Sequence, residues 1–205
     1  MFKSIKKYLN KKALKDRKYS YLLEEYRGLE YVVFDCETTG LDVNNDEIIS
    51  IGAVIVKDNK IELSKRFHLF AKSNKNLSEE SIKIHKIREC DLENAKEIDE
   101  VIEEFLDFIK NRTLVGYYLE FDIDMVNRYI EPKVGFKLPN KTIEVSELYY
   151  NKMLKKYPNG NIDLRFDTIL NRLNLPALPK HSALNDAIMT ALMFVKLKTD
   201  TKSYG

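Results

Sequence analysis

A chain of 205 residues, 44% hydrophobic and 32% charged, has the length for one ordinary domain and too much apolar content to be broadly disordered. Its net charge of +2 excludes a uniformly basic nucleic-acid coat but not a local patch. Two cysteines without a Cys-x-x-Cys pairing exclude a disulfide framework or zinc ribbon, and no apolar run reaches the ~18 residues of a membrane span, so a reduced, cytoplasmic setting is expected.

The chain begins basic. Within residues 1–18, Lys3, Lys6, Lys7, Lys11, Lys12, Lys15, Arg17 and Lys18 stand against Asp16 alone, while Phe2, Ile5, Leu9 and Ala13 recur at helical spacing. That pattern predicts a basic amphipathic helix. It suits a helix packed on the domain with solvated lysines, an arm toward nucleic acid, or a helix for a membrane surface or partner. A second short helix is expected over residues 19–27, with Tyr19, Leu22, Leu23 and Tyr26 on one face and Gly28 as its stop. Residues 1–28 then form a basic helical extension, and residues 29–200 the main domain.

Residues 31–34 are an apolar run of β-branched and aromatic residues, expected as a buried strand. At its end come Asp35 and Glu37, two apart and so on one face. Cys36, between them, should point to the opposite face as a buried thiol. Residues 47–56 predict a second strand, Asp58-Asn59 a hairpin turn, and residues 61–70 a third strand. Short turns make these an antiparallel meander. The period then changes: helices are expected at 78–85 and around Ile98, Val101, Ile102, Phe105 and Ile109, a strand at 113–117, a helix at 121–130 and a last strand near 142–145. Helices follow near 146–157, 164–173 and 182–196. A meander followed by strand–helix alternation implies an α/β fold, a mixed sheet with helices on its faces.

Two further acids fall at informative places. Asp122 lies in the first turn of the helix after the fourth strand, where the helix dipole favours an acid. Asp186 interrupts the apolar stretch of the last helix, and a buried acid there needs a partner or a metal. His181 stands five residues ahead of it, and histidine is the side chain best suited to move a proton near neutral pH. Hard divalent cations take carboxylate oxygens, so Asp35 and Glu37 alone supply half a metal site.

Taken in order, Asp35-Cys36-Glu37-Thr38-Thr39-Gly40-Leu41, then residues 47–54, then Phe121-Asp122, then His181-Ser182-Ala183-Leu184-Asn185-Asp186-Ala187 resemble the DEDDh 3′–5′ exonucleases. This is the DnaQ-like group that includes the proofreading epsilon subunit of bacterial DNA polymerase III. The resemblance covers about residues 30–197. It implies a ribonuclease H-like fold, with a five-stranded sheet of three antiparallel and two parallel strands and helices on both faces. It also implies that Asp35, Glu37, Asp122 and Asp186 hold two magnesium or manganese ions with Asp35 bridging them, and that His181 is the general base. Thr38, Leu41, Glu80, His85 and Phe121 become expected contacts of the terminal nucleotide. Tyr117, Tyr118 and Phe121 offer faces for base stacking, or for core packing. The middle motif departs from the family, because Tyr117 and Tyr118 occupy places that often hold His-Asn; Lys180 stands where arginine is common.

The expected activity is metal-dependent hydrolysis of DNA from a free 3′ end, releasing nucleoside 5′-monophosphates in repair or proofreading. Single-stranded DNA is the favoured partner and RNA an alternative, with components of a DNA polymerase III as further candidates. The rival readings are a 3′–5′ exoribonuclease acting on RNA or oligoribonucleotides, and a catalytically silent nucleic-acid-binding subunit. The chain stops soon after its last helix, and with no polymerase-tethering tail in view a standalone enzyme is favoured.

Overall fold

The computed structural model describes residues 2–199. The side chains of Phe2 and Lys3, and residue 200 at the expected domain end, lie outside the description. Five strands form one sheet in the order β3-β2-β1-β4-β5. They are β1 (Glu30–Thr38), β2 (Ile48–Lys57), β3 (Lys60–Phe70), β4 (Thr113–Gly116) and β5 (Thr142–Glu144). The first three pair antiparallel, while β4 joins β1 and β5 joins β4 in parallel. This is the expected mixed sheet. Asp58 and Asn59 turn the β2–β3 hairpin with φ of 49° and 59°, the doubly left-handed turn that matches strand twist.

Helices cover both faces. On one side α4 (Ile98–Ile109) and α5 (Leu119–Val134) pack through Phe105, Leu106, Met125 and Ile130 onto Val32, Phe34 and Cys36 of β1. On the other, α6 (Val145–Lys156), α7 (Phe166–Arg172) and α8 (Ala183–Thr199) pack onto Val33, Val54 and Val56. β2 is buried along all but its last residue, which is why its sequence is a continuous apolar run rather than an alternation. The segment holding the short helices α2 (Glu79–His85) and α3 (Glu89–Leu92) closes over Ile49 through Leu92 of α3 and the flanking Leu77 and Ile87.

At the start, α1 (Phe2–Ala13) is helical as expected. Its Ile5, Tyr8 and Leu9 are exposed. The second helix differs from expectation. It is a 3₁₀ turn over Arg17–Leu23, and the chain after it is not helical. Asp16 accepts from the Lys18 N–H and draws the start forward. Tyr19 and Leu22, three apart, stack in line on a threefold helix and both enter the core shared with α4 and α5.

Candidate active site

β1 places Asp35 and Glu37 on the face toward α8, and Cys36 in the opposite core, 9% exposed. In the β1–β2 register Asp35 lies opposite Gly52 and Glu37 opposite Ser50. Gly52 matters because α8 begins directly above it. A Cβ at this position would stand 2.2 Å from the Leu184 nitrogen and 2.3 Å from the Ala183 carbonyl carbon. The bare backbone lets the helix sit down on the sheet, and Asp186 in its first turn reaches the strand acids. One carboxylate oxygen from each of Asp35, Glu37 and Asp186 lies within 4.8 Å of the others. Asp122 arrives from the opposite face. It is 4% exposed in the first turn of α5, and its Oδ1 accepts the Cys36 N–H at 3.0 Å.

The electrostatics follow from this crowding. Burial raises the Asp35 carboxyl well above its usual range, and Asp122, Asp186 and Glu37 raise it further. Glu37 is pushed up to about 8 by burial and then by Asp186 and Asp122. Asp122 is raised by burial, against the pull of the Cys36 N–H, with Glu144 adding repulsion. Burial raises Asp186 too, opposed by the His181 N–H that bonds its Oδ2 at 2.9 Å. Four acids that repel one another in a dry place are a poor structural feature and a good cation cage. The Oδ1 of Asp186 is buried with no partner among the described residues. The donor set is all hard oxygen, which fits magnesium or manganese rather than a soft metal.

His181 is exposed, with φ of 60°, and its backbone fold is tied to Asp186 by the bond above. Lys180 pairs with Asp167, and Asn185 donates to the Pro179 carbonyl at 2.8 Å, so the segment before α8 is held from both sides. His85 is 5% exposed at the end of α2. Its Nδ1 accepts the Ile87 N–H at 3.0 Å, which puts the proton of the neutral ring on Nε2. That Nε2 is buried and has no partner among the described residues. Burial, then His181, lowers the His85 pKa and keeps the ring neutral.

After β1, Thr38 Oγ1 donates to the Gly40 carbonyl, and Asp46 accepts from Thr39 Oγ1 and the Asp42 N–H. The loop so fixed presents Leu41, 85% exposed, beside a cleft of about 990 Å³ that also includes Asp35, Tyr118, Phe121 and Asp122. Glu80 is exposed on the first turn of α2, and nothing in its contacts draws it to the acids. Tyr117 is half-buried and its hydroxyl donates to the Leu164 carbonyl at 2.7 Å, whereas Tyr118 is 66% exposed.

Sequence reasoning passed over two residues that build this site. Gly52 is one. Glu144 is the other: its Oε1 caps α6 at Ser146 and its Oε2 accepts the Leu119 N–H at 2.9 Å, holding the start of α5 beside Asp122. An acid two residues before a serine at a helix start was the available signal for the cap, but not for the second bond.

The comparisons agree with the geometry. An exonuclease family model, of the RNase T type, matches residues 32–194. A PolC-type DNA polymerase III of Thermotoga petrophila is 33% identical over 180 residues, 88% of this chain and 13% of that polymerase. The chain therefore spans about an eighth of such relatives. The DNA polymerase III subunit epsilon of Aquifex aeolicus is 31% identical over 82% of this chain and 79% of its own length. Among solved structures, the nuclease domain of 3′hExo, a DEDDh family member bound to rAMP, superposes with a TM-score of 0.69 at 16% identity, covering 87% of this chain and 96% of that one. With the family model spanning most of the chain and the acids on β1, α5 and α8 in the expected order, the protein belongs to the exonuclease family, in its DEDDh, DnaQ-like branch.

Proposed function

We propose that this protein is a metal-dependent 3′–5′ exonuclease that releases nucleoside 5′-monophosphates from the free 3′ end of single-stranded DNA. The convergence of Asp35, Glu37 and Asp186 within 4.8 Å, with Asp122 bonded to the strand beside them, carries the reading. These four carboxylates would hold two magnesium or manganese ions, which supply Lewis-acid stabilisation of the reacting phosphate and a more acidic water. His181, anchored to Asp186 through its own backbone, takes the proton from the attacking water as general base. Thr38, Leu41 and Phe121 border the place of the terminal nucleotide. His85 offers it a neutral Nε2–H donor from a buried position, and Glu80 on α2 is the outermost contact proposed.

DNA is favoured because the sequence relatives are DNA polymerase III proteins. Work alongside DNA polymerase III components in replication or repair belongs to the same proposal. One observation favours a second reading, exoribonuclease: a structural neighbour of this fold is bound to rAMP. The test is a time course with manganese and matched 5′-labelled single-stranded DNA and RNA. A descending ladder on DNA, lost in Asp35→Ala, supports the first reading. A ladder on RNA alone replaces it with the second, and no ladder on either overturns both.

A further inference from the structure

Tyr118 sits where its side chain serves neither helix nor core. It occupies the bend between β4 and α5 with φ of 53° and ψ of 37°, makes no capping bond, and is 66% exposed. The left-handed region is costly for a bulky aromatic and easy for glycine or asparagine. The start of α5 is held instead by Glu144, which takes the Leu119 N–H. A strained residue kept at a site that a smaller one would relax points to use of its side chain.

The ring is braced on one side. Tyr117 meets it edge-on with centroids 4.7 Å apart. Tyr117 is itself pinned by its bond to the Leu164 carbonyl and by an edge contact with Phe166 at 5.0 Å. The rest of the Tyr118 ring faces the cleft that holds Asp35 and Asp122. Beyond those two, the cleft wall carries Glu120, Asp124, Glu144 and Glu147, and no lysine or arginine among the described residues. Such a wall repels phosphate. What it accepts beside an open aromatic ring is uncharged and flat, which describes a nucleobase and not the backbone.

This inference rests on the exonuclease reading. There, the terminal nucleotide lies against the acids and His85, and the next nucleotide inward falls to the cleft that Leu41 and Tyr118 line beside Asp35 and Asp122. We infer that Tyr118 is the stacking platform for the base one step in from the 3′ end, and that it grips that base whatever its identity. Stacking on one aromatic is worth ~1–3 kcal/mol per base, so about a tenfold effect is expected.

The test is a cycle between enzyme and substrate. First-cleavage kcat/KM is measured with manganese on two 5′-labelled single-stranded DNAs that differ only in an abasic residue at the penultimate position. Wild-type enzyme should lose about tenfold on the abasic strand. Tyr118→Asn should lose about the same on the ordinary strand and nothing further on the abasic one. Tyr118→Phe should retain the preference, and the Tm of Tyr118→Asn should not fall, because asparagine adopts this backbone readily. Equal rates for Tyr118→Asn and wild type on the ordinary strand, or independent losses that multiply, overturn the inference while leaving the exonuclease reading intact. A wild-type enzyme inert on both strands removes that reading and this inference with it.

Discussion

Gly52 faces Asp35 across the β1–β2 ladder and lies directly beneath the backbone of Leu184. This one contact sets how deeply α8 seats on the sheet, and hence whether the carboxylate of Asp186 comes within reach of the carboxylates on β1. A glycine in a central, fully buried strand is otherwise a weakness; here it lets the last acid arrive.

Gly52→Ala tests that relation. The added methyl meets backbone rather than a yielding side chain, so α8 must lift. Overpacking of this kind costs about 1–3 kcal/mol, and an ångström of misplacement in a catalytic group costs about a hundredfold in rate. The Tm should fall by several degrees and kcat by about that factor. Retained kcat would show that α8 has no need to seat so closely.

The crowded acids predict how metal-free stability follows pH. Their folded-state pKa values are raised, with Glu37 at about 8. The folded protein therefore holds protons that the unfolded chain has released, and the associated stability is full below the ordinary carboxylate range and lost as pH rises through about 8. Melts in chelator should show Tm falling from pH 6 to 9, and manganese should remove most of that fall by binding the native state. Glu37→Gln should raise the metal-free Tm at pH 8 and abolish turnover. A pH-independent melt in chelator would contradict the repulsion.

His85 makes two separable contributions. Its Nδ1 satisfies the Ile87 N–H, while its Nε2 is buried with no partner among the described residues. His85→Asn can keep an acceptor for the first and lacks the donor for the second. It should hold near-native Tm while raising KM for single-stranded DNA about tenfold, the worth of one lost hydrogen bond to a charged group. His85→Ala should show the same KM effect and also lose about 1–3 kcal/mol of stability, from the unsatisfied amide. Unchanged KM in both would remove His85 from the binding site.

The N-terminal segment divides at Leu14. Beyond that point Leu14 packs on the core, the Lys15 N–H bonds the Val134 carbonyl at 3.0 Å, and Lys15 Nζ reaches the Pro132 carbonyl. Before it, Lys6, Lys7, Lys11 and Lys12 are exposed. Removing residues 1–12 should leave the Tm nearly unchanged but weaken oligonucleotide binding and flatten its salt dependence. Removing residues 1–18 should lower the Tm as well. Identical salt slopes for the full chain and the first truncation would assign α1 some task other than gripping nucleic acid.

What could be seen in the sequence was what local periodicity records. Asp35 and Glu37 share a face because strands repeat every two residues, and Asp186 stood out as a charge in an apolar helix. The hairpin at Asp58-Asn59 was legible because few residues accept two positive φ values in succession. What could not be seen depends on elements distant in the chain. Gly52 looks like any small residue in a strand until α8 lies on it. His85 was expected to contact the terminal nucleotide, but among lysines it gives no local sign of burial; Ser78 caps its helix and Ile87 returns an N–H to its ring. Tyr118 runs against propensity, since nothing about tyrosine announces a left-handed bend.

The acids come from residues 35, 122 and 186, on elements separated by whole helices. A chain emerging from the ribosome can form the β1–β2–β3 meander early, since its contacts are local. It cannot bring the carboxylates together until α8 has been synthesised and has come down over Gly52. The order of synthesis thus leaves an unfinished copy with the acids of β1 and α5 but without Asp186, and the carboxylate cluster is completed only when α8 packs onto the sheet.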